Sequence, residues 1–504
     1  MDKNAIKKYA VWARRELIER VTQRALFYGV TATEKADLAA ASVNGRLLSD
    51  TEKAQRQALI AQVDNHGFDQ TIEEVAYTWF NRFAALRFME VNNYLPTHTR
   101  VFTNDAGEFK PQLLTEAIHI DLDGLDPDRV YELKSADKDE ELYRYLLITQ
   151  CNALNKILPG MFQKIADYTE LLLPDHLLRT SSVIEQMVTL IPEQDWQDQV
   201  QIIGWLYQYY NSEPKDEVFA RLKKNVKVAK DSIPAATQLF TPDWIVRYMV
   251  ENSLGRLWLA GHPNDALQAK WHYYVPDAPQ EAAVTTELDM LKTDYARLQP
   301  QDLSLIDCCS GSGHILAYAF DVLMDIYTAQ SYKPREAVRS ILEHNLYGLD
   351  IDERAWQLTY FSLMMKARQY DRRLFSRDLR PQVCAIEESN GLTKWNDMKG
   401  QVQAEQMTLE DQFFNLADYL IDTFQDAKNY GSLLKVEPAD YDALLDYIQQ
   451  LVDEGGDNLF LGSWLQQVAE QMPKLIRQAK LLSRKYWVCI TNPPYLGSSI
   501  STLL

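Results

Sequence analysis

Cysteine is scarce in this chain: five residues in 504, at positions 151, 308, 309, 384 and 489, with no C-x-x-C spacing. That excludes a disulfide-framed secreted domain and a zinc site built on paired thiols, so a reducing cytoplasm and no bound metal are expected. Long apolar runs are also missing, and no stretch approaches the ~18 residues of a membrane span. The opening segment carries Lys3, Lys7, Lys8, Arg14 and Arg15, and reads as a charged amphipathic helix rather than an export signal. Glycine and proline, 19 of each, form no repeat or low-complexity tract. Positive charge is the last shortage. Lys and Arg number 52 against 71 Asp and Glu, a net charge of −19. Any surface for phosphates must therefore be local. Lys215 to Lys230 and Lys366 to Arg380 each hold six basic and two acidic residues, and both are weighed against ordinary solvated faces. The acid is concentrated in Glu405 to Asp457, with thirteen acidic and two basic residues.

What is present is globular: 46% hydrophobic and 24% charged residues over a length sufficient for two or three domains. Residues 1–230 read as almost wholly helical. Val75, Trp79, Phe83 and Leu86 fall on one stripe, and the pattern recurs over Leu142 to Phe162 and Val200 to Tyr210. Pro127-Asp128…Glu132-Leu133-Lys134 mimics a nuclease signature. However, three residues between the carboxylates leave no room for the paired strands that would bring them to one ion, and helix-flanking charges are the expectation. Residues 211–236 are the expected domain junction.

The second half carries strand-ending motifs. Leu303 to Asp307 reads as a strand that opens through Cys308-Cys309-Ser310-Gly311-Ser312-Gly313 into a helix from Ile315 to Tyr327. In nucleotide-binding α/β folds, glycines at this point let the backbone approach a ligand. Both loop cysteines are read as small packing residues. A second strand runs from Asn345 into Asp350, before a helix from Arg354 to Arg368. An acid there holds a ribose diol in this architecture; Asp350 is the first choice, and Asp352 is divided between that role and capping the helix. Val383 to Asn390 reads as a third strand and loop. Upstream, Thr241 is expected to cap a helix that has Pro242 at its first position and Gly255 at its end. Near the end, Tyr486 to Ile490 reads as a buried strand followed by Asn492-Pro493-Pro494-Tyr495. The stretch from Leu409 to Phe424 has helical apolar spacing, so about 396–480 is taken as a helical insertion.

Asn492-Pro493-Pro494-Tyr495 resembles the catalytic loop of amino-methyltransferases, above all DNA adenine-N6 methyltransferases. The Asp307 to Gly313 loop is similar to their S-adenosylmethionine loop, with Cys308 where a proline is usual, and Phe240-Thr241-Pro242 resembles the segment that covers the cofactor's methionine end. The motif order matches the gamma arrangement. Further stretches extend the resemblance to the PglX methyltransferases of BREX phage-defence systems: Ile6 to Arg15, Trp79 to Glu90, Ile203 to Tyr210, Cys309 to His314 and Ile386 to Asn390. The resemblance implies an α/β Rossmann-like methyltransferase domain over 231–504, preceded by a mainly α-helical domain. It also implies a longer family chain, so that a domain stopping nine residues after Tyr495 is expected to be truncated. Cofactor contacts are expected from Phe240, Thr241, Asp307, Ser310, Gly311, Gly313, Asp350 and Asp352. Asn492, Pro493, Pro494 and Tyr495 are the expected catalytic residues, with double-stranded DNA and other BREX proteins as partners. Two other readings stay open: a protein-glutamine methyltransferase, whose amide substrate poses the same lone-pair problem, and a cofactor-binding scaffold that docks on DNA without methylating it.

Overall fold

The computed structural model describes residues 1–33, 37–38, 40–163, 167–222, 224, 241–404, 410–455 and 461–493. The chain divides into two compact units, one made mainly of Met1–Ala220 with Tyr360–Asp378, the other mainly of Thr241–Thr359 with Leu379–Leu504.

In the first unit, helix Lys3–Phe27 is started by Asp2, whose side chain accepts from the Asn4 and Ala5 amides. Its buried face, Ile6, Tyr9, Ala10, Ala13, Leu17, Val21 and Ala25, packs on helices Phe68–Val91 and Gln201–Tyr210. Phe68–Val91 is enclosed far beyond the stripe its sequence shows, burying Asn81, Arg82, Arg87 and Glu90 as well. Three of these, Arg82, Arg87 and Glu90, are tolerated because they are paired. Arg87 meets Glu90 at 2.5 Å, Glu90 accepts the Val101 and Phe102 amides, and Arg82 donates to the Gln163 carbonyl. One short hairpin interrupts the helices. Residues Ser42–Val43 (β1) and Arg46–Leu47 (β2) form an antiparallel hairpin. It turns on Asn44 and Gly45 at φ of 52° and 78°, the Asn-Gly conformation that favours hairpins. Asp128, Glu132 and Lys134 share the short helix Pro127–Ser135, capped by Asp126. Half of the expected junction, residues 223 and 225–236, lies outside the described residues.

The second unit is built on a parallel sheet of Leu305–Asp307 (β3), Leu346–Asp350 (β4), Gln382–Ala385 (β5) and Val488–Cys489 (β6), in the order β5-β4-β3-β6. Parallel strands need crossovers. Helix His314–Ala329 lies between β3 and β4, and Glu353–Tyr370 between β4 and β5. Between β5 and β6 the chain inserts helices Trp395–Ala404, Asp411–Thr423, Tyr441–Gly455 and Gly462–Ser483. Their apolar faces join Ile306, Tyr347, Leu349, Cys384 and Ile386 of the sheet in one core. The chain thus steps from β3 outward to β4 and β5, then returns to the other side of β3 with β6. Strand order reverses at β3. In open α/β sheets, that is where a crevice opens beyond the carboxyl ends.

The expected cap at Thr241 is corrected. The helix runs Asp243–Val250 with Pro242 at the cap position and no side-chain cap bond, and Gly255 does not end it. A π-turn over Glu251–Gly255 carries the chain into helix Arg256–Gly261. No described helix is long and apolar enough to cross a membrane.

Candidate functional site

The motifs meet at the carboxyl ends of β3, β4 and β6. After β3 the loop turns through Gly311 and Gly313, both left-handed at φ of 54° and 78°. Gly313 is also crowded. A Cβ there would lie 2.9 Å from Thr359 Cα, whereas one at Gly311 would enter open space. The loop is pinned from three sides. The Ser310 amide donates to the Leu349 carbonyl at 2.9 Å, the Gly311 amide to Asp350 Oδ2 at 2.8 Å, and the Thr359 hydroxyl to the Gly311 carbonyl at 2.9 Å.

Asp307 is wholly buried. Its Oδ1 accepts the Cys309 amide at 3.1 Å, while Oδ2 makes no hydrogen bond among the described residues. Burial raises its carboxyl to about 7, opposed by the Thr491 hydroxyl and the Cys309 amide. Asp350, half-buried, is raised to about 6 for the same first reason, although the Asp352 amide bonds to its Oδ1 at 2.9 Å. Asp352 is engaged elsewhere: it accepts the Arg354 backbone amide and pairs with the Arg354 guanidinium, both at 3.0 Å, as the cap of helix Glu353–Tyr370. Ser310 is buried, and its hydroxyl accepts from Thr359 at 3.3 Å.

Beyond β6, the Thr491 hydroxyl accepts the Cys309 amide at 3.1 Å, which ties this strand end to the glycine loop. Asn492 follows, and its Nδ2 donates to the Thr241 hydroxyl at 3.1 Å. A 251-residue separation in sequence is thereby closed. The Thr241 carbonyl meets His314 Nδ1 at 3.1 Å, so the segment ahead of the helix is also held to the start of His314–Ala329. Pro493 is exposed. Phe240, Pro494 and Tyr495 lie outside the described residues.

Thr241, Asp307, Ser310, Gly311, Gly313, Asp350 and Asn492 are thus brought together at the carboxyl ends of the strands, where the switch in strand order predicts a crevice, with Asp352 turned into its own helix. Three contributors were not anticipated from sequence. Thr491 adjoins the Asn492 motif and was within reach. His314 ends the glycine stretch but has no spacing that marks it. Thr359 is a buried threonine inside a helix and carries no local signal at all.

A family model described as Eco57I restriction-modification methylase matches residues 344–502. The adenine-specific methyltransferase PglX of Lacticaseibacillus casei (strain Zhang) is 38% identical, over 99% of this chain and 43% of its own length. The adenine-specific methyltransferase BrxX of Escherichia coli O9:H4 (strain HS) is 35% identical, over 99% of this chain and again 43% of its own length. The chain therefore spans less than half the length of these relatives. It is similar over nearly all its residues to the adenine-specific methyltransferases PglX and BrxX, and residues 344–502 within that span match the restriction-modification methylase model.

Proposed function

We propose that the chain forms the methyl-transfer part of a site-specific DNA adenine-N6 methyltransferase acting in a phage-defence modification system of the BREX kind. Residues 231–504 then constitute a Rossmann-like methyltransferase domain with a helical insertion at about 396–480, and residues 1–230 a helical domain of their own. The observation that carries this reading is the Asn492–Thr241 bond at 3.1 Å, made beyond the carboxyl end of β6, which pairs with β3 where the strand order reverses.

The residues fit S-adenosylmethionine. Asp307 presents a buried carboxylate oxygen with no hydrogen bond of its own, and space is open at Gly311. Asp350 uses two of its acceptor sites on backbone amides, and a carboxylate has about four, so hydroxyls of a ribose can still be accepted. Asp307 and Asp350 would hold the cofactor's polar groups, Gly311 and Gly313 would admit it close to the backbone, and Thr241 with Phe240 would cover its methionine end. When bound, it supplies a methyl group on a positively charged sulfur that leaves readily.

The protein's task is to prepare the nucleophile. An exocyclic amine on an aromatic base is weak because its lone pair is delocalised into the ring. The Asn492 side-chain oxygen and the Pro493 carbonyl each accept one amine hydrogen and localise that pair. With Nδ2 held by Thr241, the amide turns its oxygen away from Thr241. Tyr495 would stack on the base once it is flipped from the duplex. Double-stranded DNA is the substrate on this reading, other BREX proteins are partners, and the cytoplasm is the setting.

The test is Asn492→Ala in the intact protein. S-adenosylmethionine binding by calorimetry should persist while N6-methyladenine disappears from genomic DNA. Methylation retained at the usual site would refute the mechanism. Methylated glutamine with unmodified DNA would instead select the protein-methyltransferase reading.

A further inference from the structure

Cys308 and Cys489 come from segments 181 residues apart in sequence, yet their sulfurs lie 3.9 Å from each other. Strand pairing sets this. In the β3–β6 ladder Ile306 is opposite Cys489, and Cys308 follows two residues later at the entry to the glycine loop. All five cysteines are free thiols, and Cys489 is exposed, whereas Cys151 and Cys384 are buried. We propose that Cys308 and Cys489 form a modification site, a dithiol that hydroperoxides convert to a reversible disulfide.

The chemistry requires one accessible nucleophilic sulfur and one resolving thiol beside it. Cys489 is the nucleophile: it is the more exposed sulfur of the pair, and its hydrogen-bonding contact with Cys308 lowers its thiol to about 6. Cys308 is pushed the other way by that bond, by burial and by the charges around it. The Cys489 thiolate attacks a peroxide oxygen, breaking the O–O bond to give a sulfenic acid, with hydroxide or alkoxide as the leaving group. The Cys308 sulfur then displaces the sulfenic oxygen as water. In sum, two thiols and one hydroperoxide give a disulfide, an alcohol or water, and one further water. Disulfide sulfurs lie ~2 Å apart, so the closure asks for a movement of about 2 Å. The other three cysteines serve as internal controls; Cys151 and Cys384 are also raised by burial to about 12.

Where the link would form matters. Cys308 begins the loop assigned above to the cofactor, and Cys489 precedes Thr491 and Asn492. The bond would tether the two walls of the crevice, and its effect on methyl transfer rests on the function proposed above.

The experiment is peptide mapping of the intact protein after hydrogen peroxide, denaturation and alkylation. A Cys308–Cys489 cross-linked peptide, reversed by dithiothreitol, is the expected result, with Cys151, Cys309 and Cys384 still alkylated. In Cys308→Ser, dimedone should label Cys489. Complete alkylation of Cys308 and Cys489 in the treated protein, or pairing of Cys489 with Cys309, overturns the proposal. The map needs no methyl transfer, so failure of the proposed function leaves it intact. Full methylation by cross-linked protein would overturn only the claim that the crevice is affected.

Discussion

The Thr241 hydroxyl is the residue-scale link between the segment proposed to cover the cofactor and the proposed catalytic loop, because it accepts from Asn492 Nδ2. Thr241→Val keeps the shape and removes the acceptor. A neutral hydrogen bond is worth about 1 kcal/mol, so methyl transfer should fall roughly fivefold, with Thr241→Ser restoring it. Steady-state kinetics with DNA would check this, and equal rates for the valine and serine variants would remove Thr241 from amide positioning. Asp350 is tested differently. Asp350→Ala removes a charged acceptor, and S-adenosylmethionine affinity should drop by about 1.5–3 kcal/mol. Calorimetric titration reads that directly, provided circular dichroism shows the variant folded. Both residues were legible in the sequence as members of motifs. Their partners were not. Nothing local tells that Thr241 meets Asn492 instead of capping its own helix, or that Asp350 spends part of its carboxylate on the Gly311 amide.

At the scale of elements, the glycine loop separates stability from binding. Gly313 has φ of 78° and a Thr359 Cα only 2.9 Å from where a Cβ would sit, so Gly313→Ala combines left-handed strain with a backbone clash. Gly311 has φ of 54° and open space. Its alanine variant carries the strain alone, about 1 kcal/mol. Urea denaturation should therefore rank Gly313→Ala as the less stable, by at least ~1 kcal/mol more than Gly311→Ala. Cofactor titration should show a larger loss for Gly311→Ala than its stability cost accounts for, since the added methyl enters the crevice. The loop and its flanking strand and helix were readable from residue types, because a strand ending in an acid and a pair of glycines permits few backbone paths. The β1–β2 hairpin was missed although Asn44-Gly45 announces it. Its strands are two residues each, too short to show alternation beside long helical periodicity. The enclosure of Phe68–Val91 was missed for another reason. Arg82, Arg87 and Glu90 look like a solvent face until their buried partners are known.

For the whole molecule, the two raised carboxyls make stability and binding depend on pH in opposite directions. Asp307 at about 7 and Asp350 at about 6 hold their protons more tightly folded than unfolded, where an aspartate titrates near ~4. Their contribution to folding is fully present below ~4 and is lost as pH rises through about 6 and then about 7. Urea midpoints should show a downward contribution from these groups over that window, and Asp307→Asn should flatten it. Cofactor affinity should run the other way, because ionised carboxylates are the better acceptors; calorimetry at about pH 5.5 and pH 8 tests this. Affinity independent of pH would remove both acids from the cofactor site. The sequence by itself determined the order of the motifs and the main strands and helices that carry them, since strand-ending acids and paired glycines constrain the backbone locally. Only the tertiary structure decided which of these groups touch. Strand order β5-β4-β3-β6 brings residues more than 180 positions apart to one sheet edge, and it does so through long-range pairing and burial that no short window of sequence contains.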